Sequence, residues 1–266
     1  MTRVTLRRTL LLILLLQVVL FVSIKSGDWL AMKSEQAVVR QLMHEPPKET
    51  FTTVRQIRFE DPNSLKAWEE KIFRGKTQYQ VIREGERAFL SSSSAAASSS
   101  IYMKMEQKVT PDLYLSWRWR AKRFPQKKEP AKLANRGEDD FAARIYVVFP
   151  GSNFFNTNLI EYIWDERIPA GSVASSPFSG RVKLFVIRTG PAGAEAGGWA
   201  VEERNIYEDY TMLFGKPPDR VIGAIALMSD SDNTKTASEA DFGDILFKRK
   251  DPINKENKTH GSPAQT

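Results

Sequence analysis

Glu138-Asp139-Asp140-Phe141-Ala142-Ala143-Arg144-Ile145-Tyr146-Val147-Val148-Phe149 reads as one long central strand, with an acidic pair at its entrance and an arginine inside an apolar run. Strand side chains alternate between faces. Phe141, Ala143, Ile145, Val147 and Phe149 therefore share one side, and Asp140, Ala142, Arg144, Tyr146 and Val148 share the other. The first set is a core; the second is more than a fold requires. Residues 113–120, Leu-Tyr-Leu-Ser-Trp-Arg-Trp-Arg, repeat the pattern, with Trp117 and Trp119 opposite Arg118 and Arg120. If both strands lie in one sheet with apolar faces aligned, then Arg118, Arg120, Asp140, Arg144 and Tyr146 converge on its outer face. Trp164, near the end of the strand 159–164, joins them as a candidate ligand-binding residue. A charged, aromatic-lined sheet face suits sugars or carboxylates, held by stacking and forked hydrogen bonds. A face of solvated salt bridges is the competing reading.

Outward from this stretch the chain is mainly β. Short apolar runs at 79–82, 88–90, 101–103, 182–188, 221–228 and 242–247 are separated by turn residues, the pattern of a jelly-roll-like β-sandwich. The Ser/Ala tract 91–100 lies between two core-like runs, so it is expected as strand ends and a polar loop within one domain. The Lys- and Pro-rich segment 124–137 is long enough to be mobile or to cover a site. Ile206, Tyr210, Leu213 and Phe214, with Gly215 after them, predict one short helix over 202–214, with Glu203, Glu208 and Asp209 on its wet face. Residues 190–198 lack the spacing of a nucleotide-binding loop.

Composition removes whole classes of chemistry. There is no cysteine, and the two histidines, His44 and His260, fall outside the domain expected at 51–247. Thiol nucleophiles, thiolate metal sites, Ser-His-Asp triads and His-ligated metals are thus excluded from the domain. No cofactor is called for. A metal would need oxygen ligands, and Asp230, Asp232 and Asn233 in the run Asp-Ser-Asp-Asn-Thr form a candidate calcium site, against an Asx turn closing the loop. Of the seven excess positive charges, Arg3, Arg7, Arg8 and Lys25 carry four and residues 248–266 carry three, which leaves the region between them neutral and argues against nucleic acid. Arginines followed by the apolar run 10–24 read as an export signal or short membrane anchor over 1–26, then a linker over 27–50. The expected address is the periplasm or cell envelope, with membrane contact only through this N-terminal segment, anchored to the inner membrane if the leader stays uncleaved. Residues 248–266 read as a disordered polar tail.

Ser116-Trp117-Arg118-Trp119-Arg120, the 138–149 stretch, Glu202-Glu203-Arg204-Asn205-Ile206-Tyr207-Glu208-Asp209-Tyr210 and Asp230-Ser231-Asp232-Asn233-Thr234 together resemble a domain-of-unknown-function family of exported bacterial proteins. The resemblance spans about residues 59–247 and implies bacterial origin, export and a jelly-roll sandwich, with no activity to carry over. The Ser/Ala tract and the basic tail stand outside that pattern. Three functions stay open. One is a non-catalytic module binding a saccharide or another envelope component, another a hydrolase or lyase using Asp139, Asp140, Asp230 or Asp232, and the third a structural envelope protein. Binding is preferred.

Overall fold

The computed structural model describes residues 49–128, 132–191 and 198–252, so the predicted leader, most of the linker and the tail beyond 252 lie outside the described residues. Thr50–Pro252 form one compact unit. Its elements are β1 (Phe51–Ile57), β2 (Glu69–Arg74), β3 (Gln78–Glu84), β4 (Arg87–Ala95), β5 (Ser98–Gln107), β6 (Leu113–Arg123), β7 (Ala143–Phe149), β8 (Asn158–Asp165), β9 (Val173–Ser176), β10 (Ser179–Thr189), β11 (Ala200–Asn205), α1 (Ile206–Phe214), β12 (Ile222–Met228) and β13 (Ala237–Lys250). They form a jelly-roll-like sandwich. One sheet has the order β11-β6-β13-β4-β3, with β1 also paired to β13; the other runs β2-β5-β12-β7-β8-β10-β9. All pairings are antiparallel except β8 with β10.

The two opening stretches lie in different sheets, and their apolar faces meet across the core. From β6, Trp117 stacks on Tyr162 of β8 with ring centroids 5.2 Å apart, and Trp119 meets Trp164 at 5.6 Å. Ile145, Val147 and Phe149 of β7 fill the same core and are inaccessible to solvent. Burying each such side chain stabilises the fold by about 1.5–3 kcal/mol. Alternation identified the inward residues of 113–120 and 143–149, but Phe141, expected on the same face, lies outside the strand and packs in a separate cluster. The pattern cannot distinguish two strands side by side in one sheet from two strands facing each other, because both arrangements point the same residues inward.

Three boundaries also differ from expectation. Residues 138–142 are not strand; a short 3-10 turn covers Arg136–Glu138 and β7 begins at Ala143. The expected helix splits, because 202–205 continue β11 against β6 and Asn205 ends the strand by capping α1, accepting a hydrogen bond from the Glu208 N–H at 3.1 Å. Gly215, at φ 72°, closes α1 in the left-handed conformation that glycine adopts without strain. The final strand runs to Lys250, three residues into the expected tail, since Lys248, Arg249 and Lys250 pair with Thr53, Thr52 and Phe51 of β1. The Ser/Ala tract is strand and turn within this unit, and carries the chain from one sheet to the other: β4 ends at Ala95 in the six-stranded sheet and β5 begins at Ser98 in the seven-stranded one.

Candidate functional site

Residues 132–141 lie over the outer face of the seven-stranded sheet. Phe141 and Leu133 pack there with Ile163 of β8, Ile168, and Val182, Leu184 and Val186 of β10, making a second, smaller core. Arg144 sits at the edge of this layer, 2 % exposed, over the Phe141 ring at 4.5 Å. Its Nε and Nη2 donate to Asp230 at 3.0 and 2.6 Å, its Nη1 donates to Glu161 at 2.8 Å, and its Nη2 also donates to the Asp139 carbonyl. Asp230 further accepts from the Phe141 N–H at 3.0 Å. Burial raises Asp230 well above the usual carboxylate range and brings Glu161 to about 7, although Arg144 pulls both down. Lys127, 3.6 Å from the centre of the Phe141 ring, is buried in an ion pair with Asp165 at 2.6 Å, and burial lowers its pKa.

Asp140 closes the neighbouring turn. Its carboxylate accepts from the N–H groups of Asn233 and Thr234 at 3.1 and 2.6 Å and from the Asn233 amide at 3.1 Å. Asp140, Asp230 and Asp232 each present an oxygen within 4.8 Å of the others. Two members of the predicted calcium set, Asp230 and Asp232, are thus together, whereas the side-chain amide of Asn233 donates to Asp140. Asp230 already receives a guanidinium and an N–H, so Arg144 supplies the charge that a cation would bring. The proposed acid–base pair, Asp140 and Asp230, shares this side of the sandwich, but both are buried. A glycosidase pair faces substrate from about 5–10 Å apart.

The predicted convergence does not form. Arg118 and Arg120 lie on the outer face of the six-stranded sheet, while Arg144 and Tyr146 lie on the outer face of the other, because β6 and β7 face one another across the core. Arg120 donates to Asp241 at 2.8 Å and to Glu84 at 3.1 Å. Trp164 is not on a surface at all. It follows Ile160 and Tyr162 in parity, is inaccessible to solvent, and donates its indole N–H to the Gly190 carbonyl at 2.7 Å. Asp209, expected to be wet, is buried and accepts from Tyr162 and Arg204.

Tyr146 belongs to a row that sequence reading missed. Register aligns Glu69, Tyr102, Ala226, Tyr146 and Glu161 across β2, β5, β12, β7 and β8. Ala224 follows Ala226 on the same face, opposite Lys104 and Val148. Two tyrosines therefore flank Ala226, which shares this face of β12 with Ala224 and with Met228, the residue whose sulfur the Tyr146 hydroxyl meets at 3.5 Å. Tyr102 donates to Glu69 at 2.5 Å, which also pairs with Lys104 at 2.7 Å; Arg144 donates to the Tyr146 hydroxyl at 3.3 Å. The alternation of small residues in 222–228 was visible, but it read only as a buried strand.

Residues 66–246 match the family described as "Protein of unknown function (DUF3047)". The chain belongs to that family. No curated protein matches it in sequence. Solved structures to which it is similar include TmCBM27, a carbohydrate-binding module with specific mannan recognition, at 8 % identity and TM-score 0.35 over 75 % of this chain and 98 % of that one. A family 11 carbohydrate-binding module from Clostridium thermocellum, in complex with a mixed-linked tetrasaccharide, gives 10 % identity and TM-score 0.37 over 73 % and 96 %. A protein of unknown function with a galectin-like fold from Bacillus subtilis gives 10 % identity and TM-score 0.32 over 76 % and 99 %.

Proposed function

We propose that the protein is a non-catalytic saccharide-binding module of the cell envelope. The observation that carries this reading is the row in which Tyr102 and Tyr146 flank Ala226 on the outer face of the seven-stranded sheet. Strand spacing separates the two tyrosines' backbones by about 9–10 Å, a span comparable to a pyranose ring, with the buried Ala224 and Ala226 between them. Aromatic rings meet the apolar faces of a sugar while fixed polar groups meet its hydroxyls. Glu69 and Lys104 stand at one end of the row as exposed polar groups, while Glu161 at the other end is buried against Arg144. The buried Arg144 cluster holds Tyr146 in place and takes no part in chemistry. The basic and apolar leader over 1–26 supports an address outside the cytoplasm.

A glycan panel screened with the full chain, followed by calorimetry on each hit, tests the reading. Tyr102→Ala and Tyr146→Ala are expected to weaken a true ligand at least tenfold. Ala226→Leu, which fills the floor without opening a cavity, is expected to abolish binding. Unchanged affinity in all three variants would exclude this face.

A further inference from the structure

The six-stranded sheet has an interruption of its own. Along one edge β13 pairs first with β4, up to Phe242 opposite Leu90, and then with β1, from Ile245 opposite Ile57. At the change of partner its register against β6 shifts between Phe242 and Ile245. A cleft of about 390 Å³ opens at this bulge, lined by Arg58, Arg83, Arg87, Arg118, Glu60, Glu86 and Asp244. Bulges of this kind commonly re-aim side chains at sites.

Arg118 is held in the cleft from two sides. Its guanidinium lies over the Trp199 ring at 4.5 Å. Its stem lies against Gly243, where an added Cβ would come within 2.4 Å of Arg118 Cγ. Among the described residues neither Arg118 nor Arg87 makes a side-chain hydrogen bond or an ion pair within 4 Å, and Asp244 acts on Arg118 only from farther away. Arg58 and Arg83 are already engaged, Arg58 with Glu60 at 3.4 Å and Asp244 at 3.9 Å, and Arg83 with the Glu60 carbonyl at 2.8 Å. Partial burial lowers the pKa of Arg118, Arg87 and Arg120 lower it further, and Asp244 offsets part of this. An anion would relieve what remains.

We propose that this cleft binds the carboxylate of an acidic sugar, a uronate, on Arg118 and Arg87. Four arginines against three acids leave one net positive charge, which matches a monoanion better than a dianionic phosphate. Glu86 and Asp244 are acceptors placed for a ligand that also carries hydroxyls. The class of ligand rests on the saccharide reading above, but the site is on the opposite sheet, so the two fail separately. The fork geometry of a guanidinium suits a carboxylate.

The test is calorimetric titration of the full chain with tetragalacturonate, a neutral hexose tetramer and inorganic phosphate. Saturable binding of tetragalacturonate is expected, weakened at least tenfold in Arg118→Ala and in Arg87→Ala and unchanged in Ala226→Leu. Arg87 is exposed and makes no contact that folding needs, so Arg87→Ala decides the matter if Arg118→Ala does not fold. The proposal is overturned by absence of saturable binding, by equal affinity of wild type and Arg87→Ala, or by phosphate binding as tightly as the uronate. Loss of neutral-tetramer binding in Ala226→Leu alone would concern the tyrosine row and leave this site standing.

Discussion

Arg144 donates to Asp230, to Glu161 and to the Asp139 carbonyl from a position that water does not reach. Replacing it with Met leaves two buried carboxylates without their counter-charge. The expected cost is about 3–5 kcal/mol, seen as a large fall in the midpoint of chemical unfolding. Glu161 sets a pH dependence whose sign follows from its raised pKa, from 4.5 to about 7. Between these values the folded chain keeps a proton that the unfolded chain has released, so stability falls as pH rises through that window. Glu161→Gln is expected to flatten the decline of the melting temperature between pH 5 and 8, and an unchanged slope would assign it to Asp230 and Asp232. Because Arg144 already occupies Asp230, calcium at millimolar concentration is expected to leave the melting temperature unchanged, and a rise of several degrees would show that the three aspartates take the ion. The sequence marked Arg144, Asp140 and Asp230 as worth notice. It could not show that they neutralise one another, since that depends on residues more than 80 positions apart.

At the scale of elements, two glycines fix close approaches. A Cβ on Gly223 of β12 would sit 2.7 Å from Cγ of Pro150, a rigid ring with little freedom to retreat. Gly223→Ala is expected to destabilise by about 1–3 kcal/mol in urea titration. Gly243→Ala would push on the flexible Arg118 stem instead, so a smaller loss of stability is expected, together with weaker uronate binding. Strand faces were legible because burial of alternate residues leaves a period of two in 113–120 and 143–149. Strand ends were less so. Asp139 and Asp140 continue the alternation on paper, yet hydrogen bonding to the 231–234 turn takes Asp140 out of the strand. β2 has no buried residue at all, so its hydrophobic pattern had nothing to record.

The whole molecule presents two outer faces of different chemistry. One carries tyrosines flanking alanines, partly roofed by 132–141; the other carries the arginine cleft at the β13 bulge. Sequence reading put Arg118 and Tyr146 on one surface, because it had no means of assigning strands to sheets. A double variant, Arg87→Ala with Ala226→Leu, is expected to show additive losses for any ligand too short to reach both faces, and calorimetry of the singles and the double would detect coupling if the faces act together. The arrangement of β13 also bears on the order in which the chain can fold. Every strand of the seven-stranded sheet precedes Ser229, whereas β1, β4 and β6 of the other sheet are joined only by β13. During synthesis half of the sandwich can therefore pair while β6 still lacks the strand that ties it to β4 and β1, and the domain closes from the middle of its second sheet once Lys250 has emerged.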